Sequence, residues 1–221
     1  MRTLKDLINL DEPGWDLITE WLNEAQNQYE ILPRDKERAE RELVNTQVTT
    51  RSPMGAIVYE TGGILIDNGW LRILGSGNEK LDRGLAEWNK GKTFANFGEQ
   101  PSHLLIADDI IGGYFALNAG GIGSEIGKVY YLAQDTLEWE CLDTSYSEFI
   151  YWALTGNLSQ FYETFRWRNW QNDVQLANGN QVFSFYPFLF TKEAKDIEKT
   201  SRALVPIEEN YKLTLDFQKQ I

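Results

Sequence analysis

The chain has 221 residues, 42% of them hydrophobic and 13% aromatic, enough apolar material for a large core and too much for wholesale disorder. One cysteine, Cys141, and one histidine, His103, exclude an internal disulfide framework and a cysteine-only zinc site and argue against a histidine-rich metal centre. A net charge of −12 opposes nucleic-acid phosphate and anionic lipid, and no apolar run approaches the ~18 residues of a membrane span.

The amino-terminal part, 1–48, reads as helical. Leu4, Leu7 and Ile8 share one face after Thr3, a capping residue type. Asp11-Glu12-Pro13 is a start signal for a helix whose stripe is Trp15, Ile18, Leu22 and Ala25. Pro33 opens a charged helix, Arg34 to about Val44, largely solvated and anchored by Ala39, Leu43 and Val44. Ser52-Pro53 is expected to close this section.

A sheet part, 55–140, follows. The spacing predicts a three-stranded meander of Ala56–Glu60, Ile64–Asp67 and Trp70–Leu74, with Asn68-Gly69 as a type I′ turn. A helix over Leu81–Asn89 ends at Gly91, and 103–140 adds two to four antiparallel strands. The last part, 145–221, is mainly helical. Ser145-x-x-Glu148 is a capping box that starts a helix through Phe149, Ile150 and Leu154, stopped by Gly156. Another helical piece covers about 159–165, Gln181–Tyr186 reads as a late strand, and Lys192–Lys199 and Ile207–Gln218 as charged helices. The fold class is α+β: one domain over 1–221, with a mainly antiparallel twisted sheet of about six strands flanked by helices from both termini.

Charge is concentrated. Between Asp108 and Phe165 stand nine acids and one base, Lys128, so this stretch carries −8 of the −12. The glycine clusters Gly75-Ser76-Gly77, Gly112-Gly113 and Gly120-Gly121-x-Gly123 lack the residues and context of phosphate-binding loops and read as turns. His103 has no Asp, Ser or Cys at a useful offset, and the acids beside Cys141 disfavour a thiolate. Arg72 is the lone base in the central strands, expected to pair with Asp67 or Glu60 across the hairpin. No residue pattern specifies a reaction, a cofactor or a metal site.

Long motifs carry a resemblance. Thr49-Thr50-Arg51-Ser52-Pro53-Met54-Gly55-Ala56, the run Gly62 to Gly75, Asp109 to Asn118, Val129 to Glu140, and Phe161-Tyr162-Glu163 with Arg166-Trp167-Arg168-Asn169-Trp170 resemble the bacterial family termed domain of unknown function 2625. The order of strands, glycines and aromatics before a capped helix is also similar to the SUKH superfamily of Smi/Knr-like proteins, many of them immunity proteins. That similarity implies binding and neutralising a toxin domain.

The expected function is a non-enzymatic interaction module, immunity-like, meeting a basic partner protein in the cytoplasm. Asp108, Asp109, Asp135, Glu138, Glu140 and Asp143 supply the field, and Trp139 and Tyr146 are apolar anchors. One alternative is a small-ligand binder or enzyme in which Asp67, Asp108, Asp109 or Asp135 converges with Arg72 in a pocket. The other is a homo-oligomer with aromatics at its self-interface.

Overall fold

In the computed structural model, which describes residues 1–220, the first 60 residues hold four helices and one strand joined by loops. Helix α1 (Leu4–Leu7) precedes α2 (Gly14–Glu24), which buries Ile18 and Leu22 of the expected stripe. Strand β1 (Tyr29–Leu32) comes next, where no strand was expected. Helix α3 (Lys36–Thr46) starts at Asp35, whose carboxylate accepts the Arg38 amide N–H at 2.7 Å.

Ser52-Pro53 opens a helix instead of closing the helical section. The Ser52 hydroxyl accepts the Gly55 N–H at 3.1 Å, Pro53 occupies the first turn, and α4 (Pro53–Glu60) follows. The expected strand Ala56–Glu60 is therefore helical. Ala56-Ile57-Val58 is a short apolar run that fits a buried strand or a buried helix equally well, and the cap decides.

The place left in the meander belongs to β1. It pairs antiparallel with β2 (Gly63–Ile66), which pairs with β3 (Leu71–Leu74). Between them Asp67 and Asn68 take φ values of 53° and 60°, and the Gly69 N–H reaches the Ile66 carbonyl at 3.1 Å. The type I′ turn thus centres on Asp67-Asn68, one residue earlier than expected. After α5 (Leu85–Asn89), strands β4 (His103–Asp109), β5 (Tyr114–Asn118), β6 (Val129–Leu132) and β7 (Trp139–Cys141) complete the sheet. It has seven strands where about six were expected, in the order β1 to β7, every neighbouring pair antiparallel.

Helix α6 (Tyr146–Thr155) carries the reciprocal Ser145–Glu148 capping box and ends at Gly156. Then come α7 (Leu158–Phe161), α8 (Trp170–Val174), β8 (Gln181–Tyr186), two single 3-10 turns within 192–199, β9 (Ser201–Pro206) and α9 (Ile207–Gln218). Strands β8 and β9 form a separate two-stranded sheet, and β9 was not expected.

The central sheet is covered on both faces. On one, Phe115 stacks on Tyr131 at 4.5 Å and meets Phe149 of α6 at 4.9 Å, while α2, α4 and α6 pack on one another. On the other, the Tyr114 ring lies 4.9 Å from Tyr211 of α9, and its hydroxyl donates to Asn210 Oδ1 at 2.9 Å. Behind the β2–β3 turn, Trp70 contacts Trp170, Tyr162 and Trp167 at 4.9, 5.4 and 5.7 Å, with the Arg166 guanidinium over the Trp70 and Trp170 rings.

Helix α3 is less solvated than its charges suggested. Ala39 and Leu43 are buried as expected, and so is Glu42, wedged against α5. Its Oε2 accepts the Ala86 and Glu87 N–H groups at 2.7 and 3.3 Å. Burial, then the neighbouring Glu87 carboxylate, pushes the Glu42 carboxyl from 4.5 up to about 7, against those two amides. Because the folded protein holds this proton more tightly than the unfolded chain, the contribution is complete below pH 4.5 and fades as pH rises through about 7. Glu42→Gln keeps the amide acceptor without the charge. It is expected to raise stability by ~1–3 kcal/mol at about pH 8 and to leave it nearly unchanged at about pH 5, read from urea midpoints at both.

Candidate functional site

The pair Asp108-Asp109 ends β4, and consecutive strand residues face opposite ways. Asp108 stands opposite Arg72 on β3, and Asp109 opposite Leu71. Both aspartates are fully buried. They do not belong to a surface field, and that expectation is corrected.

Asp108 sits between two guanidinium groups. Arg72 Nε donates to its Oδ1 at 2.5 Å, and Arg83 Nη1 to its Oδ2 at 2.6 Å. Other donors find backbone carbonyls, Arg72 Nη1 at Gln181 (2.6 Å), Arg72 Nη2 at Asp109 (2.9 Å) and Arg83 Nη2 at Gly179 (2.7 Å), while Arg83 Nε donates to Asn180 Oδ1 at 3.3 Å. The expected partners of Arg72, Asp67 and Glu60, are replaced by Asp108. Asp67 pairs with Arg166, and Glu60 with Arg34 at 2.9 Å. Burial lowers the pKa of Arg72, and Asp108 opposes that shift.

On the other face, Asp109 Oδ2 accepts the Tyr131 hydroxyl at 2.7 Å, and Oδ1 accepts the Gly113 and Ile111 N–H groups at 2.7 and 3.2 Å. Burial raises its pKa to about 6 in spite of these bonds. Gly113 is required here, since a Cβ would stand 2.3 Å from the Tyr131 oxygen and 2.5 Å from Asp109 Oδ2. Tyr131 and Tyr162, both buried, are raised well above the usual phenol range by burial and by this carboxylate.

The alternative pocket does not form as expected. Asp67 and Arg72 engage different partners, and Arg72, Asp108 and Asp109 form a closed interior network tying β3 and β4 to the 179–181 segment that enters β8. Its chemistry is that of a clamp. Arg83 and Tyr131, which complete it, were missed because they lie 25 and 22 residues from their partners with no shared periodicity. Arg166 lay inside the aromatic motif, but nothing in the sequence joins it to Asp67, 99 residues away.

The other expected residues gather around β7, the last strand of the sheet. Glu138, Glu140 and Asp143 are exposed, and Trp139 is half-buried with its ring 5.8 Å from that of His103. Thr136 donates to Glu140 at 3.0 Å, and Lys128 pairs with Asp143 at 3.1 Å. Asp135 is exposed too, but borders a depression of about 300 Å³ with Lys192 and Lys195 on its rim. Tyr146 is buried in the first turn of α6 and offers no surface anchor. Among the described residues, no three His, Cys, Asp or Glu side chains are grouped to hold a metal ion, and no helix is long and apolar enough to cross a membrane.

Residues 4–210 match the family model described as "Protein of unknown function DUF2625", and the chain belongs to that family. It is 48% identical over 211 residues to an "Uncharacterized protein" of Haemophilus influenzae, covering 96% of this chain and 92% of that one. It is 45% identical over 213 residues to "Putative uncharacterized protein YbfG" of Escherichia coli K12, covering 96% and 95%.

Replacing Asp108 by Asn leaves two buried guanidinium groups without a counter-charge. A loss of roughly 3–5 kcal/mol in unfolding free energy is expected by urea titration, whereas Glu138→Gln on the exposed edge should change it by less than ~0.5 kcal/mol.

Proposed function

We propose that this DUF2625 protein is a non-enzymatic interaction module that holds a basic partner protein against the acidic edge around β7. The observation that carries the reading is the placement of Glu138, Glu140 and Asp143 in solvent along an open sheet edge, with Lys128 the only base between Asp108 and Phe165. Glu138 and Glu140 stand there with no cation partner among the described residues, Asp143 is shared with Lys128, and the net negative charge steers encounter over a Debye length of about 8 Å at physiological ionic strength. Trp139, half-buried on the opposite side of β7 from Glu140 and packed against His103, borders that field with an apolar edge.

The likeness to Smi/Knr-like immunity proteins fits this reading, with a cationic toxin domain as the partner class and the cytoplasm as the place of action. Enzymatic use of Asp108 or Asp109 is disfavoured because no face of either carboxyl meets solvent.

The test is affinity capture on the full chain from lysate at rising salt, beside the triple variant Glu138→Gln, Glu140→Gln, Asp143→Asn. Basic proteins held by the wild type at low salt should be lost by the variant and released at about 0.5 M salt. Captured proteins that are identical for both chains, or indifferent to salt, count against the proposal.

A further inference from the structure

A second concave surface owes nothing to the acidic edge strand. A cleft of about 380 Å³ opens where the end of α3, the start of α4, the 94–101 loop and the β4–β5 pair meet. Its apolar walls are Val48, Met54, Phe94, the cross-strand partners Leu104 and Leu117, and Ile126 at the rim. Ile126 is 72% exposed, in the loop between β5 and β6. That loop is not slack. Buried Asn118 donates to the Gly123 and Glu125 carbonyls at 2.9 and 3.1 Å and accepts from the Gly120 and Ile122 N–H groups at 2.8 and 3.3 Å. An exposed apolar side chain is therefore held at the mouth of a preformed cleft.

The polar wall groups define what the cleft can take. Glu99 accepts the Ala95 and Asn96 N–H groups at 2.9 Å each and the Asn96 side-chain amide at 2.7 Å, and these bonds hold its pKa below the usual carboxylate range. The Thr46 hydroxyl donates to the Glu42 carbonyl at 2.7 Å, and both polar atoms of the Asn118 side chain are used on the loop. The one wall charge is already engaged. An anion entering here would lose hydration and face the like charge of Glu99, and a cation would meet a carboxylate already bonded to three N–H groups, whereas an apolar ligand loses nothing. The volume lies in the range of small-molecule sites, and walls from four chain segments leave a recess, not a flat face for a protein to lie on.

We propose that this cleft binds a small, uncharged, predominantly apolar molecule. The probe is N-phenyl-1-naphthylamine, a neutral fluorophore, titrated into the full chain beside its sulfonated analogue 1-anilinonaphthalene-8-sulfonate. The two differ by one negative charge. Expected are saturable binding of the neutral dye at one per chain, at least roughly tenfold weaker binding of the sulfonate, and at least roughly tenfold loss in Ile126→Asp. Ile126 is exposed, so that variant is expected to fold, with far-UV circular dichroism as the check. Leu117→Trp, which fills the recess from within, gives the same loss by occlusion. Binding that does not saturate, equal affinity for the two dyes, or affinity untouched by Ile126→Asp overturns the proposal. A wild-type chain that sediments as a dimer and becomes monomeric in Ile126→Asp also overturns it, assigning this face to a second copy.

Discussion

A single buried carboxylate between two arginines ties the middle of the central sheet to the C-terminal hairpin. Removing Arg72, Asp108 and Arg83 from water costs several kcal/mol per ion, and the cost is offset only because nearly every donor finds an acceptor. Asp108 uses both oxygens, and the guanidinium groups spend their spare N–H groups on the carbonyls of Asp109, Gly179 and Gln181. Those last two carbonyls belong to the segment that enters β8. The C-terminal hairpin is thereby fixed to the middle of the central sheet by charge-assisted hydrogen bonds as well as by apolar contact. Phe183 N–H, bonded to the Ile110 carbonyl at 2.7 Å, continues the same seam.

Much of the architecture was legible because local rules and tertiary packing agree. The capping box before α6, the glycine that ends it, the β2–β3 hairpin and the strands of 103–141 all follow from caps, turn residues and apolar runs. What was not legible depended on choices that short windows leave open. Ala56-Ile57-Val58 suits either kind of buried element, and the cap at Ser52 outweighed the β-branched residues. Strand β1 has only four residues, its first two exposed, and owes its existence to the pairing of Tyr29–Leu32 with Ile66–Gly63. Strand β9 likewise exists through β8. Arg72 was recognised as unusual, but its partner stands 36 residues away, beyond any periodicity.

The acidic middle third divides by depth. Asp108 and Asp109 serve the interior, where each has its own set of donors, while Glu138, Glu140 and Asp143 remain at the edge of the sheet. Composition counts both groups alike, although only the second can be felt from outside. The cleft beside Ile126 follows a different logic, with its one carboxylate engaged by the protein and its apolar wall left free. The two proposed contacts thus fall on different parts of the surface.

The placement of two neighbouring aspartates on opposite sides of β4 has a consequence for how the sheet avoids mispairing. A slip of one residue would put either Asp109 beside the two guanidinium groups and Ile110 in the amide cradle around Gly113, or Ala107 beside the guanidinium groups and Asp108 in the cradle, so that one of the two sites always loses its carboxylate. Apolar side chains tolerate such a slip far better than ions do. The dipeptide therefore works as a frame marker, recording which way every later strand must face.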